Sequence, residues 1–203
     1  HDPAARALAR WMVAEMHSGF GALRGDCPMQ LLHQYPDFIP TDAVLADLAR
    51  LQTLWQTAKD RFGANGPWLF GDYSITDAFF APVAARIAGF DLPVNTAAQA
   101  YVDLHLRDTA FRQWRAMALT ETIDPKPYQI NLSQGAWTGQ PALPAQPTDN
   151  QNSENTACPY SGKPVTHFME LDGRVFGFCN AFCRDKTVND AAAWPAFLDI
   201  YQS

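Results

Sequence analysis

Apolar residues recur at helical spacing through the first 120 residues of the chain. A first helix is predicted to begin at Asp2-Pro3, because Asp is a favoured N-cap and Pro fits the first helical turn. A second helix is predicted to begin at Thr41-Asp42 and to end at Gly63. The apolar stripes of these two helices are, respectively, Leu8, Trp11, Met12, Met16 and Phe20, and Leu45, Leu48, Leu51, Leu54 and Trp55.

A third helix is predicted from Ser74 towards Gly89, and shorter helices fit residues 95–106 and 109–120. The apolar stripe of the third helix contains Phe79, Phe80, Val83 and Ile87. This part of the sequence has no strand-like alternation of apolar and polar residues. The pattern therefore predicts an all-α bundle over residues 1–123.

The composition changes after this bundle. Prolines and a polar run from Thr148 to Asn155 indicate a linker over residues 124–156. Part of the linker is expected to pack along the bundle, through the apolar residues Tyr128, Ile130, Leu132 and Trp137.

A small β-hairpin/α module is predicted after the linker. Strand-like patterns over residues 165–171 and 174–179 flank Asp172-Gly173, which is a strong signal for a two-residue hairpin turn. Short helices are predicted over residues 180–186 and 193–201. The whole chain is thus expected to be mainly α, with this hairpin module at its end.

Net charge and composition limit the classes of binding partner that are expected. The 203 residues carry a formal net charge of -6, and the basic residues are scattered. A nucleic-acid surface or an anionic-membrane surface is therefore not expected. We expect a soluble, cytoplasmic protein with reduced thiols, because no apolar run could cross a bilayer and no secretory signal is evident. A first residue other than Met suggests that the chain is part of a longer protein.

Three of the four cysteines carry the sharpest chemical signal. Cys158 and Cys179 have 20 residues between them, and Cys179 and Cys183 have three. The hairpin would return the chain towards Cys158, while one helical turn would bring the last pair together. Thiolates are preferred ligands of Zn²⁺. Residues 157–203 are therefore predicted to bind one Zn²⁺ for a structural role, with His167 or water as the fourth ligand.

The run from Cys158 to Lys163, together with Gly173 and the spacing of the cysteines, resembles small treble-clef-like modules of the TRASH/YHS type. Such modules are linked to metal sensing and trafficking, and many have a second Cys where this chain has Ser161. A metal-free alternative remains open. It is an aromatic core formed by Phe176, Phe178, Phe182, Trp194 and Phe197.

A second resemblance rests on the run from Gly66 to Asp77, GPWLFGDYSITD. Ser74 and Asp77 form a variant capping box, in which each side chain accepts from the backbone of the other residue. By itself, this capping box indicates only a well-capped helix N-terminus. Preceded by PWLFGD, it resembles the buried cap of the core helix in glutathione transferases. The runs 14–29 and 77–86 are similar to the helical domain of a bacterial subgroup of that family.

The resemblance covers residues 1–122 and implies the C-terminal helical domain of a glutathione transferase. The intact protein would then be a homodimer that uses glutathione to attack small electrophiles. The thioredoxin-like domain that binds glutathione is absent from this chain, so the chain alone is expected to be inactive and to hold no catalytic residue. The alternative is a non-enzymatic scaffold with a metal-binding or metal-sensing module.

Four residues are substrate-binding candidates by this resemblance. Met12, Met16 and Phe20 would form the wall of the electrophile pocket, although such a stripe also fits an ordinary core. Arg24 would attract the carboxylates of glutathione or an anionic substrate, although a solvated helix face is the ordinary interpretation of such a residue. Ser74 and Asp77 are assigned a structural capping role.

Other polar residues have ordinary structural interpretations. Glu15 and His17 fit a solvated helix face, and Arg86 fits a surface or ion-pair role. Cys27 is interpreted as a structural thiol, because a reactive thiolate would need a cationic neighbour or a helix N-terminus. His33 and His105 have no partner that the sequence identifies.

Overall fold

The computed structural model describes residues 2–121 and 130–203. Within these residues α-helices are the main secondary structure, accompanied by one 3₁₀-helix and two small antiparallel sheets. The described residues divide into two compact units. The first comprises residues 2–106 and 130–139, and the second comprises residues 107–121 and 140–203.

The first unit is built from five helices. They are α1 (Pro3–Ser18), α2 (Gly21–Asp26), α3 (Asp42–Phe62), α4 (Ile75–Gly89) and α5 (Thr96–Arg107). Helices α1 and α3 begin as predicted. The Asp2 carboxylate accepts from the Ala4 N–H with Pro3 in the first turn, and the Thr41 hydroxyl accepts from the Val44 N–H.

The end of α3 at Gly63 is also confirmed. A Cβ at this position would lie 2.8 Å from the Lys59 carbonyl oxygen, so the chain can turn away here only with glycine or after a shift of the backbone.

The predicted apolar stripes are not buried throughout. Trp11 is 50% exposed, and Leu45 and Phe79 are also on the surface. The Trp11 ring instead packs beneath the guanidinium of Arg50, whose carbon lies 5.4 Å from the ring centroid. The helices turn these three residues away from the core, which Met12 and Leu48 enter.

Three short elements of the first unit were not predicted. Helix α2 follows Phe20, whose left-handed backbone (φ 56°) turns the chain sharply after α1. Strand β1 (His33–Gln34) pairs with β2 (Gly135–Ala136) in an antiparallel arrangement. The expected packing of Trp137 agrees with its position near α4, where a Cβ on Gly89 would lie 3.7 Å from the Trp137 ring. Tyr128 lies outside the described residues.

The second unit combines α6 (Thr109–Ala118), a three-stranded sheet and the C-terminal helices α7 (Ala181–Asn189) and α8 (Pro195–Tyr201). The sheet has the order β3 (Gln146–Thr148), β4 (His167–Leu171), β5 (Arg174–Phe178). The predicted hairpin between β4 and β5 is confirmed. Asp172 and Gly173 both have positive φ, 52° and 74°, as a two-residue turn of this kind requires.

Strand β3 lies inside the segment predicted as a linker. Pro147 is opposite Met169 in the antiparallel pair, and it occupies an edge strand, the place in a sheet where proline is tolerated. Residues 124–129 of the predicted linker lie outside the described residues.

The second unit has an apolar core of its own. Phe176, Phe178 and Phe197 are fully buried with Met169, and Ala116 of α6 belongs to the same cluster. Phe182 is an exception to the predicted aromatic core, because it is 48% exposed.

Helix α6 is tied to this unit by polar contacts. Arg112 binds both carboxylate oxygens of Asp190, at 2.7 and 2.8 Å, and the Asn189 amide donates to the Ala116 carbonyl at 3.0 Å. The unit that holds the three cysteines therefore includes residues before the predicted module start at 157. The predicted domain boundaries themselves stay a prediction.

Candidate metal centre

Three local structures place the cysteines of the second unit. Cys158 begins a tight turn, in which its carbonyl accepts from the Gly162 N–H at 2.9 Å and its N–H donates to the Lys163 carbonyl at 2.8 Å. Gly162 has a φ of 69°, which suits glycine in such a turn. Cys179 directly follows β5.

Cys183 lies in the first turn of α7. The helix is capped by Asn180, whose side-chain oxygen accepts from the Cys183 N–H at 2.8 Å. This cap fixes the distance between the two last thiols, because it sets where the helix begins relative to Cys179.

The three sulfur atoms converge. All lie within 4.8 Å of one another, and the Sγ atoms of Cys179 and Cys183 are 3.9 Å apart. A disulfide bond would require about 2.05 Å, so the thiols are free. Tetrahedral thiolates at about 2.3 Å from a Zn²⁺ ion would be separated by about 3.8 Å. The spacing of the cluster is therefore compatible with a single metal ion, and metal binding by these three residues stays a prediction.

Cys158 and Cys183 differ in acidity. Burial opposes ionisation of Cys158, but the N–H groups of Cys179, Tyr160 and Ser161 and the Ser161 hydroxyl lower its pKa to about 7. Burial raises the pKa of Cys183 to about 11, as do its hydrogen bond with Cys179 and the negative charges of the other two thiolates. Cys158 can therefore lose its proton near neutral pH, whereas metal binding must displace the proton of Cys183.

Ser161 lies at the edge of the cluster. Its hydroxyl donates to the Cys179 sulfur at 3.2 Å, and Asn180 donates to the same sulfur at 3.4 Å. No role for this serine was predicted from the sequence. His167 is not part of the cluster of converging ligand atoms, and its Nδ1 lies 2.9 Å from the Thr166 hydroxyl.

A buried lysine accompanies the cluster, and no sequence signal pointed to it. Lys186 is only 8% exposed, and its Nζ lies 3.8 Å from the ring centroids of both Tyr160 and Trp194. Burial lowers the pKa of Lys186, whereas the negative charges of the three cysteines act in the opposite direction. The spacing of Tyr160, Lys186 and Trp194 along the chain has no recognised pattern.

The substrate-binding candidates lie in the first unit, in different environments. Met12, Met16 and Phe20 are buried, whereas Arg24 is exposed and donates to the His17 carbonyl at 3.1 Å. The burial of Met12, Met16 and Phe20 is compatible with a core role. The role of all four residues at a substrate pocket stays a prediction.

The other polar candidates of the first unit have structural contacts. Glu15 accepts two hydrogen bonds from Arg50, at 2.7 and 2.9 Å. His33 lies in β1, where its carbonyl accepts from the Gln30 amide. His105 is buried, with ring contacts to Trp68 and Tyr101.

Cys27 has the environment of a structural thiol. It is fully buried, and burial, together with the negative charge of Asp26, raises its pKa to about 12. Arg86 donates to the Cys27 carbonyl at 2.9 Å. The thiol therefore stays protonated at neutral pH, which disfavours a nucleophilic role.

Asp77 is a fully buried carboxylate with four donors. Its Oδ2 accepts from the Ser74 N–H at 2.9 Å and from the Ser74 hydroxyl at 2.7 Å. Its Oδ1 accepts from the Tyr101 hydroxyl at 2.8 Å and from the Leu69 N–H at 3.2 Å. The predicted capping box is thus present, and the same carboxylate also joins α4 to the preceding loop and to α5.

Comparison of the chain with protein-family models and with curated proteins finds no match to either. Among the described residues, no helix combines the length and the apolar character needed to span a membrane.

Proposed function

We propose that the second unit is a metal-binding module that takes one Zn²⁺ ion through Cys158, Cys179 and Cys183. The observation that carries this proposal is the convergence of three free thiols within 4.8 Å. Sulfur ligands at this spacing favour Zn²⁺ over hard cations such as Mg²⁺ or Ca²⁺, which prefer oxygen. The ion has a structural role, because it joins the turn at Cys158, the end of β5 and the start of α7.

The fourth ligand position lies beside Ser161 in this proposal. The serine hydroxyl is 3.2 Å from the Cys179 sulfur, whereas the His167 ring is outside the cluster. Water or the neutral hydroxyl would complete a tetrahedral shell.

Metal analysis of the protein purified without chelator tests the module. We expect about one equivalent of zinc for the wild type and almost none for the variant with all three cysteines changed to Ser. Cys27→Ser is the matched control, because Cys27 is a buried thiol of the other unit, and it should retain the metal. A folded wild-type protein that binds no added Zn²⁺ would contradict the proposal.

We further propose that residues 1–123 form the C-terminal helical domain of a cytoplasmic, homodimeric glutathione-transferase-like protein. The observation that favours this is the buried cap around Asp77, together with the motif resemblance that the sequence carries. Glutathione would be the co-substrate, and Met12, Met16, Phe20 and Arg24 would face the electrophile. The non-enzymatic scaffold is the rival function.

Conjugation assays and the upstream coding sequence distinguish the glutathione-transferase function from the non-enzymatic scaffold. The 203-residue chain is expected to give no conjugation of a standard aryl halide with glutathione above the uncatalysed rate. The coding sequence upstream of residue 1 is expected to encode a thioredoxin-like domain, and the longer protein to be active. An upstream sequence without such a domain would favour the scaffold.

A further inference from the structure

Lys186 combines a positive charge with an almost closed apolar environment. Its Nζ lies 3.8 Å from the centroids of the Tyr160 and Trp194 rings, and it is 5.8 Å from the centroid of Phe182. Aromatic faces attract a cation through their quadrupole, but they do not supply a counter-charge. A buried ammonium group is costly unless a negative partner lies nearby.

The aromatic cage, formed by the rings of Tyr160 and Trp194 around Lys186, is linked to the cysteine cluster through Tyr160 and through Lys186. Tyr160 is two residues after Cys158. Lys186 is three residues after Cys183 on α7, so Cys183 and Lys186 occupy neighbouring positions on one face of this helix. The Tyr160 hydroxyl is 2.6 Å from the Thr187 hydroxyl, and the Trp194 indole N–H donates to the Lys186 carbonyl at 3.1 Å. Lys186 is therefore held one helical turn from Cys183 on α7, within the electrostatic influence of all three cysteines.

The metal site itself would supply the negative partner of the Lys186 ammonium group. Three thiolates and one divalent ion form a group with a net charge of about minus one, and partial burial of such an anion is unfavourable. One adjacent ammonium group makes the assembly neutral. Ser161, which is uncharged, does not disturb this balance at the fourth position.

We propose that Lys186 is the counter-cation of the three-thiolate site, a positioning residue that raises the affinity of the site for divalent metal ions by neutralising the metal–thiolate anion. This inference rests on the proposed metal-binding function of the second unit. It explains why a lysine, rather than an apolar residue, is enclosed by two aromatic rings in the core of the module.

A neutral thiolate complex offers a test that separates charge from packing. Zn²⁺ displaces three protons from three thiols and leaves an anionic complex. Arsenite, As(OH)₃, condenses with three thiols to As(SR)₃ and three water molecules, with no change in oxidation state and no net charge. The charge of Lys186 should therefore assist zinc binding and not arsenite binding, whereas damage to the packing of the site would weaken both.

The experiment measures the dissociation constants of Zn²⁺, by competition with a chromophoric chelator, and of arsenite, by calorimetry, for the full chain. For Lys186→Met we expect zinc affinity to fall about tenfold or more, with arsenite affinity within about threefold of wild type. Lys186→Arg should restore most of the zinc affinity. Lys163→Met, which removes an exposed lysine of the same unit, is the matched control and should leave both constants unchanged.

Each other outcome contradicts the inference. Equal loss of zinc and arsenite binding would indicate a packing role, and an unchanged zinc constant would indicate no role. If Lys163→Met weakened zinc binding as much as Lys186→Met, the effect would belong to positive charge near the site in general and not to Lys186. If Lys186→Met does not fold, Lys186→Gln takes its place. Wild-type protein that binds no zinc would instead remove the proposed function itself.

Discussion

Asp77 shows how one side chain can join three parts of the first unit. The carboxylate accepts from both polar groups of Ser74, from the Leu69 N–H and from the Tyr101 hydroxyl, all in a fully buried position. Burial and the negative charge of Asp77 raise the pKa of Tyr101, so this hydroxyl remains a donor. The residue therefore caps α4 and also holds α5 and the preceding loop against it.

Replacing Asp77 by Ala should destabilise the first unit by at least about 2 kcal/mol. The change removes the cap and leaves buried donors without their acceptor. Urea unfolding of the variant and the wild type measures this difference. Asp72→Ala removes an exposed carboxylate from the loop before the helix and should change the stability little. An unaltered unfolding midpoint for Asp77→Ala would mean that the carboxylate contributes nothing to the fold.

Ser161 offers a second test at the level of one residue. Its hydroxyl is 3.2 Å from the Cys179 sulfur, so a thiol at this position would lie within reach of a metal bound to the other three. Ser161→Cys should therefore raise zinc affinity at least about tenfold and strengthen the thiolate-to-metal absorption of the Co²⁺ form.

The matched control for this change is Ser133→Cys, which adds an exposed thiol in the other unit. It should leave the zinc constant and the Co²⁺ spectrum as they are in the wild type. An equal gain in both variants would show that the extra thiol acts from outside the cluster.

At the scale of elements, the strongest local signals predicted helix starts and the hairpin turn correctly. Asp2, Thr41 and Ser74 begin helices, and Asp172-Gly173 forms the hairpin, because each of these signals depends only on residues a few positions away. The same holds for the three cysteines, whose convergence follows from one hairpin and one helical turn.

The elements that the sequence did not reveal depend on distant partners. Strand β3 is three residues long and contains Pro147, a residue that argues against a strand, and it is stabilised by pairing with β4. Helix α6 has an ordinary helical pattern, but its place with the cysteine-bearing unit depends on Arg112 and Asp190, which are 78 residues apart. The aromatic cage of Lys186 likewise brings together three separate segments.

The hairpin turn provides a test at the element scale. Gly173 has a φ of 74°, so a side chain at this position is strained although the space around it is open. Gly173→Ala should lower the unfolding free energy of the second unit by about 1 kcal/mol. Gly25→Ala, within α2 and also in open space, should be neutral or slightly stabilising, because alanine is the better helix former. Equal effects in chemical denaturation would contradict the turn assignment.

At the scale of the whole molecule, the division into two compact units separates two kinds of stabilisation. The first unit has a helical core organised around Asp77 and contains Cys27 as a buried thiol. The second unit has the aromatic cluster around Phe176 and the three free thiols. A metal ion that binds only to the folded form of the second unit should stabilise that unit by an amount that grows with the metal concentration.

Chelation should therefore weaken one unit and spare the other. After removal of zinc, amide hydrogen exchange should become faster in β4, β5 and α7, and it should remain as slow as before in α3 and α4. The aromatic core would keep part of the second unit compact, so the loss should be greatest near Cys158, Cys179 and Cys183. Cys183→Ser should show the fast pattern with and without added zinc, because the site has lost one of its three thiolates. Exchange that changes equally in both units, or in neither, would show that the metal does not stabilise the second unit separately.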